Sequence, residues 1–320
     1  MNGPLRRYRT LRARGVMGIN LRNAAYVLPG NPRTAYPRVD DKLLTKRLAA
    51  AADLPTPRLL GAIRYHHELQ HLTRLLGGLH EFVLKPARGA LGNGIVVVVG
   101  IEDGLYRKSS GATLDHLQLQ QHVSSTLSGL FSLGGDTDVC VIEARIVIHP
   151  QFREVARYGI PDVRVIVYRG LPVMAMCRLP TVASDGRANL HQGAIAVGID
   201  LATGRTVHAA HHHAPITHHV DTHAKLVDFP IPSWDEVMLL ATRASDISGL
   251  DYVGVDIVID EEHGPLLLEL NARPGLAIQV ANNEGLLPRL HRAETVTLGP
   301  RPSAAERCAI ARELFGRRGC

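Results

Sequence analysis

Gly264-Pro-Leu-Leu-Leu-Glu269-Leu-Asn271-Ala-Arg273-Pro-Gly275 is the stretch on which the reading of this chain turns. Its alternation predicts a strand with Glu269 and Asn271 on one face and Leu268 and Leu270 on the other. Upstream, Tyr252 to Asp260 predicts a second strand, paired to the first around a turn at Glu261–Gly264, and it carries Asp256 among aliphatic residues. Two acids and an amide therefore sit in otherwise apolar strands. A buried carboxylate is costly unless a cation faces it. Hard oxygen donors of this kind suit Mg²⁺, which binds through a few carboxylates plus substrate phosphates. A salt bridge to Arg273 or Lys85 is the alternative, but it leaves Asn271 without a role, so Asp256, Glu269 and Asn271 are the preferred metal ligands.

Working outward, Val83-Leu-Lys85-Pro-Ala-Arg88-Gly89-Ala-Leu-Gly92-Asn-Gly94-Ile95 places a lysine at a strand end before a glycine-rich loop. Glycines at 89, 92 and 94 let backbone N–H groups approach phosphate oxygens, and Lys85 supplies a point charge. No Gly-Lys-Ser/Thr is present and a strand follows, so this is not a P-loop. It reads as a lid over nucleotide phosphates, with an ordinary long hairpin as the plain alternative. Arg178, Arg187 and Asn189 supply further polar groups. Arg187 and Asn189, two apart on a loop, suit a γ-phosphate or acyl phosphate, although by themselves they form only a polar turn. Glu143 closes an apolar strand and Asp162 opens the next. A hinge strand there would offer backbone groups to adenine, and an acid would reach ribose hydroxyls.

Periodicity predicts a short helix near 4–14, an extended arm over 16–40, and a helix from Asp41 to Ala52 capped by Asp40 or Asp41. Helices are also expected over 66–77, near 113–124 and over 234–248. Strands are expected at 81–84, 95–99, 139–148 and 162–168, the last forming a hairpin with 171–178 through Arg169-Gly170. Two groups of antiparallel strands with helices make the expected class α+β rather than doubly wound.

The formal charge of +6 gathers at the ends, at Arg6, Arg7, Arg9, Arg12 and Arg14 and at Arg317 and Arg318. Tyr8 is the lone aromatic residue among them, too little for a base-stacking platform, so a solvated surface is preferred to a nucleic-acid site. Cys140, Cys177, Cys308 and Cys320 form no C-x-x-C pair, which argues against zinc or a disulfide framework. The histidines at 208, 211–213, 218, 219 and 223 read as a solvated loop rather than a metal site. No apolar run approaches the ~20 residues of a membrane span. The expectation is a soluble, cytoplasmic protein without nucleic-acid or membrane partners, compatible with a homo-oligomer.

In this order the motifs resemble the ATP-grasp superfamily, its RimK-like glutamate ligases, and within them the alpha-L-glutamate ligase-like, sugar-transfer-associated type. The likeness covers about residues 16–292. It rests on Tyr36-Pro-Arg-Val-Asp-Asp-Lys42-Leu-Leu-Thr-Lys46, Phe82-Val-Leu-Lys85-Pro-Ala-Arg-Gly, Arg187-Ala-Asn189-Leu-His-Gln-Gly and Gly264 to Leu276. The resemblance implies two lobes clamping ATP with two Mg²⁺ ions, Mn²⁺ being an alternative. It implies Lys42 and Lys85 as phosphate-binding lysines with Gly89, Gly92 and Gly94 in the lid. Glu143 becomes an adenine-hinge acid near Ala144 and Ile146, and Asp162 a nucleotide contact. Arg187 and Asn189 face the γ-phosphate, Asp256, Glu269 and Asn271 ligate Mg²⁺, and Arg273 lies near the substrate carboxylate. Only 41 residues precede Lys42, where such ligases carry a whole domain, so the arm or a partner is expected to take its place.

The implied organisation is an arm (1–40), an N-terminal lobe with the lid (41–142), a C-terminal lobe with the Mg²⁺ site (143–295) and a basic tail (296–320). The implied activity is carboxylate–amine ligation through an acyl phosphate, adding glutamate or another amino acid to a peptide or small molecule. A small-molecule kinase or a non-catalytic nucleotide-binding protein are the alternatives.

Overall fold

The computed structural model describes residues 4–89, 92–132, 134–157, 159–297 and 302–317. Ala90 and Leu91 of the glycine loop, Arg318 and Cys320 lie outside these, as does the side chain of Arg7. The chain divides into two compact units: Asp40–Arg47 with Thr56–Val147, and Met1–Val39 with Leu48–Pro55 and Ile148–Cys320.

The smaller unit is built on a six-stranded antiparallel sheet. Its strands are β1 (Leu59–Ile63), β2 (Phe82–Pro86), β3 (Val96–Glu102), β4 (Leu105–Lys108), β5 (Thr113–Leu114) and β6 (Cys140–Glu143), in the order β1-β6-β2-β3-β4-β5. The helix His116–Leu127 starts where Asp115 and Gln118 cap each other's backbone N–H groups. Such a box satisfies donors that the first turn leaves open. Its Leu119, Val123 and Leu127 join Ile63, Phe82, Leu84 and Ile142 in an apolar core. The helix Lys42–Ala51 is entered as expected, with Asp41 Oδ1 accepting from the N–H of Leu43 (2.9 Å) and Leu44 (3.1 Å). The strand expected over 139–148 ends early, because β6 stops at Glu143 and Ala144–Val147 leave the sheet.

The larger unit carries a seven-stranded sheet of β7 (Asp162–Tyr168), β8 (Leu171–Leu179), β9 (Ile195–Ile199), β10 (Thr206–His211), β11 (Ala214–Ile216), β12 (Tyr252–Asp260) and β13 (Gly264–Asn271). The order is β11-β10-β9-β8-β7-β12-β13. Arg169 and Gly170 both take positive φ (49° and 76°), the two-residue turn whose twist suits a hairpin. The helix Trp234–Ser248 lays Val237, Met238, Ala241 and Ala244 into the core. Antiparallel sheets with attached helices bear out the α+β class.

Three sequence expectations are corrected in this unit. The arm is helical rather than extended, through Ile19–Leu21, Arg22–Val27, Leu28–Gly30 and Pro37–Asp40. It also packs into the body of the unit. Tyr26, Val27, Ala35 and Val39 are core residues, and Asn31 donates to the carbonyls of Tyr252 (2.8 Å) and Ala272 (3.1 Å) while accepting from the Tyr252 N–H (3.0 Å). The basic tail is instead a docked helix, Ala304–Phe315, with Cys308, Ala311 and Phe315 buried. Burying an aromatic side chain of that size contributes about 2–3 kcal/mol, enough to hold the segment down. The histidine-rich stretch begins as the hairpin of β10 and β11 and runs on through turns beyond it. Its His219 is buried and bonds the Pro180 carbonyl.

Candidate active site

The register of the larger sheet builds the first cluster. On β12 and β13, Asp256 pairs with Glu269 and Gly254 with Asn271, while β7 brings Arg164 opposite Asp256. Asp256 is fully buried. Its two oxygens take a bidentate grip from Arg164, at 2.6 and 2.5 Å. Arg178, opposite Asp162 on β8, adds a bond to Asp256 at 2.9 Å and forks onto Asp162. The Asn271 side-chain N–H₂ bridges Asp256 Oδ2 (3.1 Å) and Glu269 Oε1 (3.3 Å).

Electrostatics follow from this geometry. Burial pushes Asp256 up, but Arg164 and then Arg178 outweigh it and hold the carboxyl well below the usual carboxylate range. Burial pushes Asp162 up to about 6, against the pull of Arg178. Three carboxylates thus share two guanidiniums, and Glu269 is the acid without one of its own among the described contacts. One surplus negative charge in a buried cluster calls for a cation. Because the Asn271 N–H₂ is turned to the carboxylates, its amide oxygen is left as a neutral donor. Two carboxylate groups and an amide oxygen fit Mg²⁺ better than a soft metal. Among the described residues no group of three or more His, Cys, Asp or Glu is placed to hold a metal, so any ion here relies on Asn271 as well as on the acids.

The smaller unit holds a second cluster of opposite character. Glu143, buried at the end of β6, lies 2.6 Å from Lys85 on β2 and 2.9 Å from Lys46 on the helix Lys42–Ala51. Burial pushes Glu143 up, but Lys85 and Lys46 outweigh it and its carboxyl stands below its ordinary value. Burial lowers Lys46, against the pull of Glu143. Two cations here share one acid, which leaves room for an anion. Lys42 donates to the Gly89 carbonyl at 2.8 Å, tying its ammonium to the glycine loop.

That loop is shaped by its glycines. At Gly94 (φ 74°) a Cβ would stand 2.5 Å from the Phe131 ring, and at Gly89 it would strike Pro86 at 2.2 Å. Gly92 also has positive φ, 76°, where only glycine is comfortable. The loop is pinned by Asp138, whose carboxylate accepts from the Arg88 N–H (3.1 and 3.0 Å), the Ser132 hydroxyl (3.0 Å) and the Val139 N–H (2.7 Å).

The remaining expected residues make local contacts of their own. Arg187 is exposed, and its guanidinium lies 3.8 Å from Asp185. Asn189 Oδ1 caps the turn Leu190–Gln192 through the His191 N–H. Arg273 stacks over the Tyr36 ring at 5.2 Å. Ala144 donates its N–H to the Arg58 carbonyl at 2.9 Å, and Ile146 belongs to the irregular run after β6. The salt-bridge alternative for the acids is met by other partners than expected, since Asp256 pairs with Arg164 and Arg178. Three participants escaped the sequence reading: Arg164, Lys46 as an ion-pair partner, and Asp138. For Arg164 a signal existed, a charged residue two beyond Asp162 in an otherwise apolar strand.

A family model described as "Sugar-transfer associated ATP-grasp" matches residues 21–295. A probable alpha-L-glutamate ligase of Parasynechococcus marenigrum (strain WH8102) is 27% identical over 84% of this chain and 42% of its own. A cyanophycin synthetase of Trichormus variabilis is 25% identical over 77% of this chain and 27% of its own. This chain therefore spans less than two thirds of the length of either relative. Among solved structures, D-cycloserine synthetase DcsG is similar at a TM-score of 0.47 and 16% identity, covering 87% of this chain and 73% of that one.

Proposed function

Given that the chain belongs to the sugar-transfer associated ATP-grasp family, we propose that it is an ATP-dependent carboxylate–amine ligase. A substrate carboxylate oxygen attacks the γ-phosphorus of ATP, ADP leaves, and an acyl phosphate forms. An amine nitrogen then attacks the acyl carbon, the amide forms, and inorganic phosphate and a proton are released. The probable alpha-L-glutamate ligase among its relatives supports an amino acid as one partner.

The observation that carries this reading is the charge surplus at Asp256, Glu269 and Asn271 in a cluster already fitted with two guanidiniums. Bound there, Mg²⁺ would offset charge on phosphate oxygens. Arg164 and Arg178 hold the Asp256 carboxylate in one orientation. Asp162 fixes Arg178 in turn. In the smaller unit Lys42 and Lys85 are the phosphate-binding cations, and Asp138 and the glycines set the backbone course of the loop that carries phosphate N–H donors. Arg187 and Asn189 are assigned to the transferred phosphoryl group, and Arg273 to a substrate carboxylate. None of this requires a nucleophilic side chain, since positioning and electrostatics supply the catalysis. No helix among the described residues is long and apolar enough to cross a membrane, and we place the reaction in the cytoplasm.

The test is product analysis by mass spectrometry with MgATP and a panel of amino acids and peptides. Ligation predicts an amide together with ADP and inorganic phosphate. A stable phosphorylated product without free phosphate would instead show a small-molecule kinase.

A further inference from the structure

The loop between β8 and β9, residues 180–193, carries Arg187 and Asn189. Its base is knotted. Thr181 and Ser184 are buried. The Thr181 N–H donates to Ser184 Oγ (2.9 Å) and the Ser184 N–H to Thr181 Oγ1 (3.0 Å), while the Thr181 hydroxyl reaches across to the Gly193 carbonyl (2.9 Å). The crown is open to solvent, with Asp185, Arg187 and His191 exposed.

Three bonds from the histidine-rich stretch hold this base from outside. His211, at the end of β10, bonds the Gly193 carbonyl through Nε2 (3.0 Å). The Asp221 carboxylate accepts from the Val182 N–H (2.8 Å). His219 donates from Nε2 to the Pro180 carbonyl (3.2 Å). His219 is the buried member, 1% exposed, and both its ring nitrogens are committed. Its Nδ1 accepts from the N–H groups of Asp221 (3.1 Å) and Thr222 (3.3 Å). A backbone N–H only donates and a carbonyl only accepts, so these partners fix the neutral ring with its proton on Nε2. A second proton, on Nδ1, would point at two N–H donors. The turn that presents Asp221 to Val182 would then have to open.

The charges around the ring agree with this geometry. Burial holds His219 below its ordinary value of 6.5. The Pro180 carbonyl and Asp221 favour the charged ring, and His211 and His223 oppose it. The clamp is therefore complete above that ordinary value and is lost as pH falls through the lowered one.

We propose that His219 is a positioning residue, which clamps the loop of Arg187 and Asn189 while its ring is neutral and releases that loop when the ring is protonated. The loop's part in phosphoryl transfer rests on the ligase reading; the clamp itself does not. The histidine-rich stretch thereby makes assembly of the loop depend on pH.

The test is hydrogen–deuterium exchange of the full chain, without nucleotide, from about pH 7.5 to about pH 5, the span in which histidine charges. Rates are corrected for intrinsic pH dependence, and residues 180–193 are compared with β7. In the wild type, protection of 180–193 should fall about tenfold on acidification, as for the loss of one hydrogen bond, while β7 is unmoved. His219→Gln should keep its protection across the range, because an amide donates and accepts at the same two sites without titrating. Asp221→Ala, a change at an exposed residue, should lower protection of 180–193 about tenfold at every pH, and it tests the clamp even if His219→Gln fails to fold. The proposal is overturned if 180–193 follows β7 in the wild type, if Asp221→Ala leaves it unchanged, or if His219→Gln shows the wild-type acid loss. With MgATP and substrates, kcat for amide formation should fall on acidification more steeply in the wild type than in His219→Gln, with the KM for ATP moved less than kcat. Equal acid limbs of kcat would sink the positioning role and leave the ligase. A loop that opens with acid in a protein forming no amide at any pH would sink the ligase and leave the clamp.

Discussion

The two units solve the same problem, burying charge in a sheet, with opposite surpluses. In the smaller unit Glu143 is the one acid between Lys46 and Lys85. In the larger unit Asp162, Asp256 and Glu269 face Arg164 and Arg178. Buried ion pairs seldom stabilise a fold much beyond what apolar residues would. Clusters that are also unbalanced are better understood as sites kept for a ligand of the missing sign. The difference teaches a division of charge: two cations share one acid in the smaller unit, and three acids share two cations in the larger.

The largest expected effect breaks the acid side of this comparison. Asp256→Ala leaves two buried guanidiniums without their shared partner and should cost about 3–5 kcal/mol, read as a shift in the denaturant midpoint. A loss under 1 kcal/mol would mean that the cluster is loosely held. Next, on the lysine side, Glu143→Gln should cost about 3 kcal/mol, near the lower end for removing one partner, because the amide oxygen still accepts from a lysine. Its pH dependence sharpens the point. Glu143 is held below its ordinary value of 4.5, so its contribution is complete above that value and is lost as pH falls through the lowered one. Acidification should therefore destabilise the wild type more than Glu143→Gln. Identical acid limbs would contradict the ion-pair assignment.

The smallest effect concerns the loop. Asp138→Ala strips acceptors from the Arg88 and Val139 N–H groups and from Ser132, and should cost about 1–3 kcal/mol. If the loop serves phosphate, the same change should raise the KM for ATP more than it lowers kcat. A stability loss with an unchanged KM would make Asp138 a fold residue only.

Where local pattern and tertiary role coincide, the sequence was a sufficient guide. Asp162–Tyr168, Trp234–Ser248 and Tyr252–Asp260 were expected at the bounds the structure gives, since their periodicity is undiluted and their ends carry turn residues. Glu269 and Asn271 were read correctly onto one strand face. The arm was misread because its proline- and asparagine-rich composition favours extended chain locally, whereas packing of Tyr26, Val27 and Val39 into the core imposes helical turns. The final helix was hidden by its arginines, although Arg307 is buried against Asp246 at 2.6 Å. Strands β9 to β11 were missed among glycines and histidines, whose pairing is decided by neighbours distant in sequence. No local pattern announces that Arg164 closes on Asp256, 92 residues away.

The central claim is that Asp256, Glu269 and Asn271 hold a divalent cation for ATP chemistry. Its most direct test is Mn²⁺ binding followed by electron paramagnetic resonance in the presence of a non-hydrolysable ATP analogue, comparing wild type with Glu269→Ala at equal folded fraction. The account predicts saturable, nucleotide-dependent Mn²⁺ binding in the wild type. Glu269→Ala should bind at least about tenfold more weakly, in keeping with the loss of one charged ligand. Equal Mn²⁺ affinity in the two proteins would contradict it.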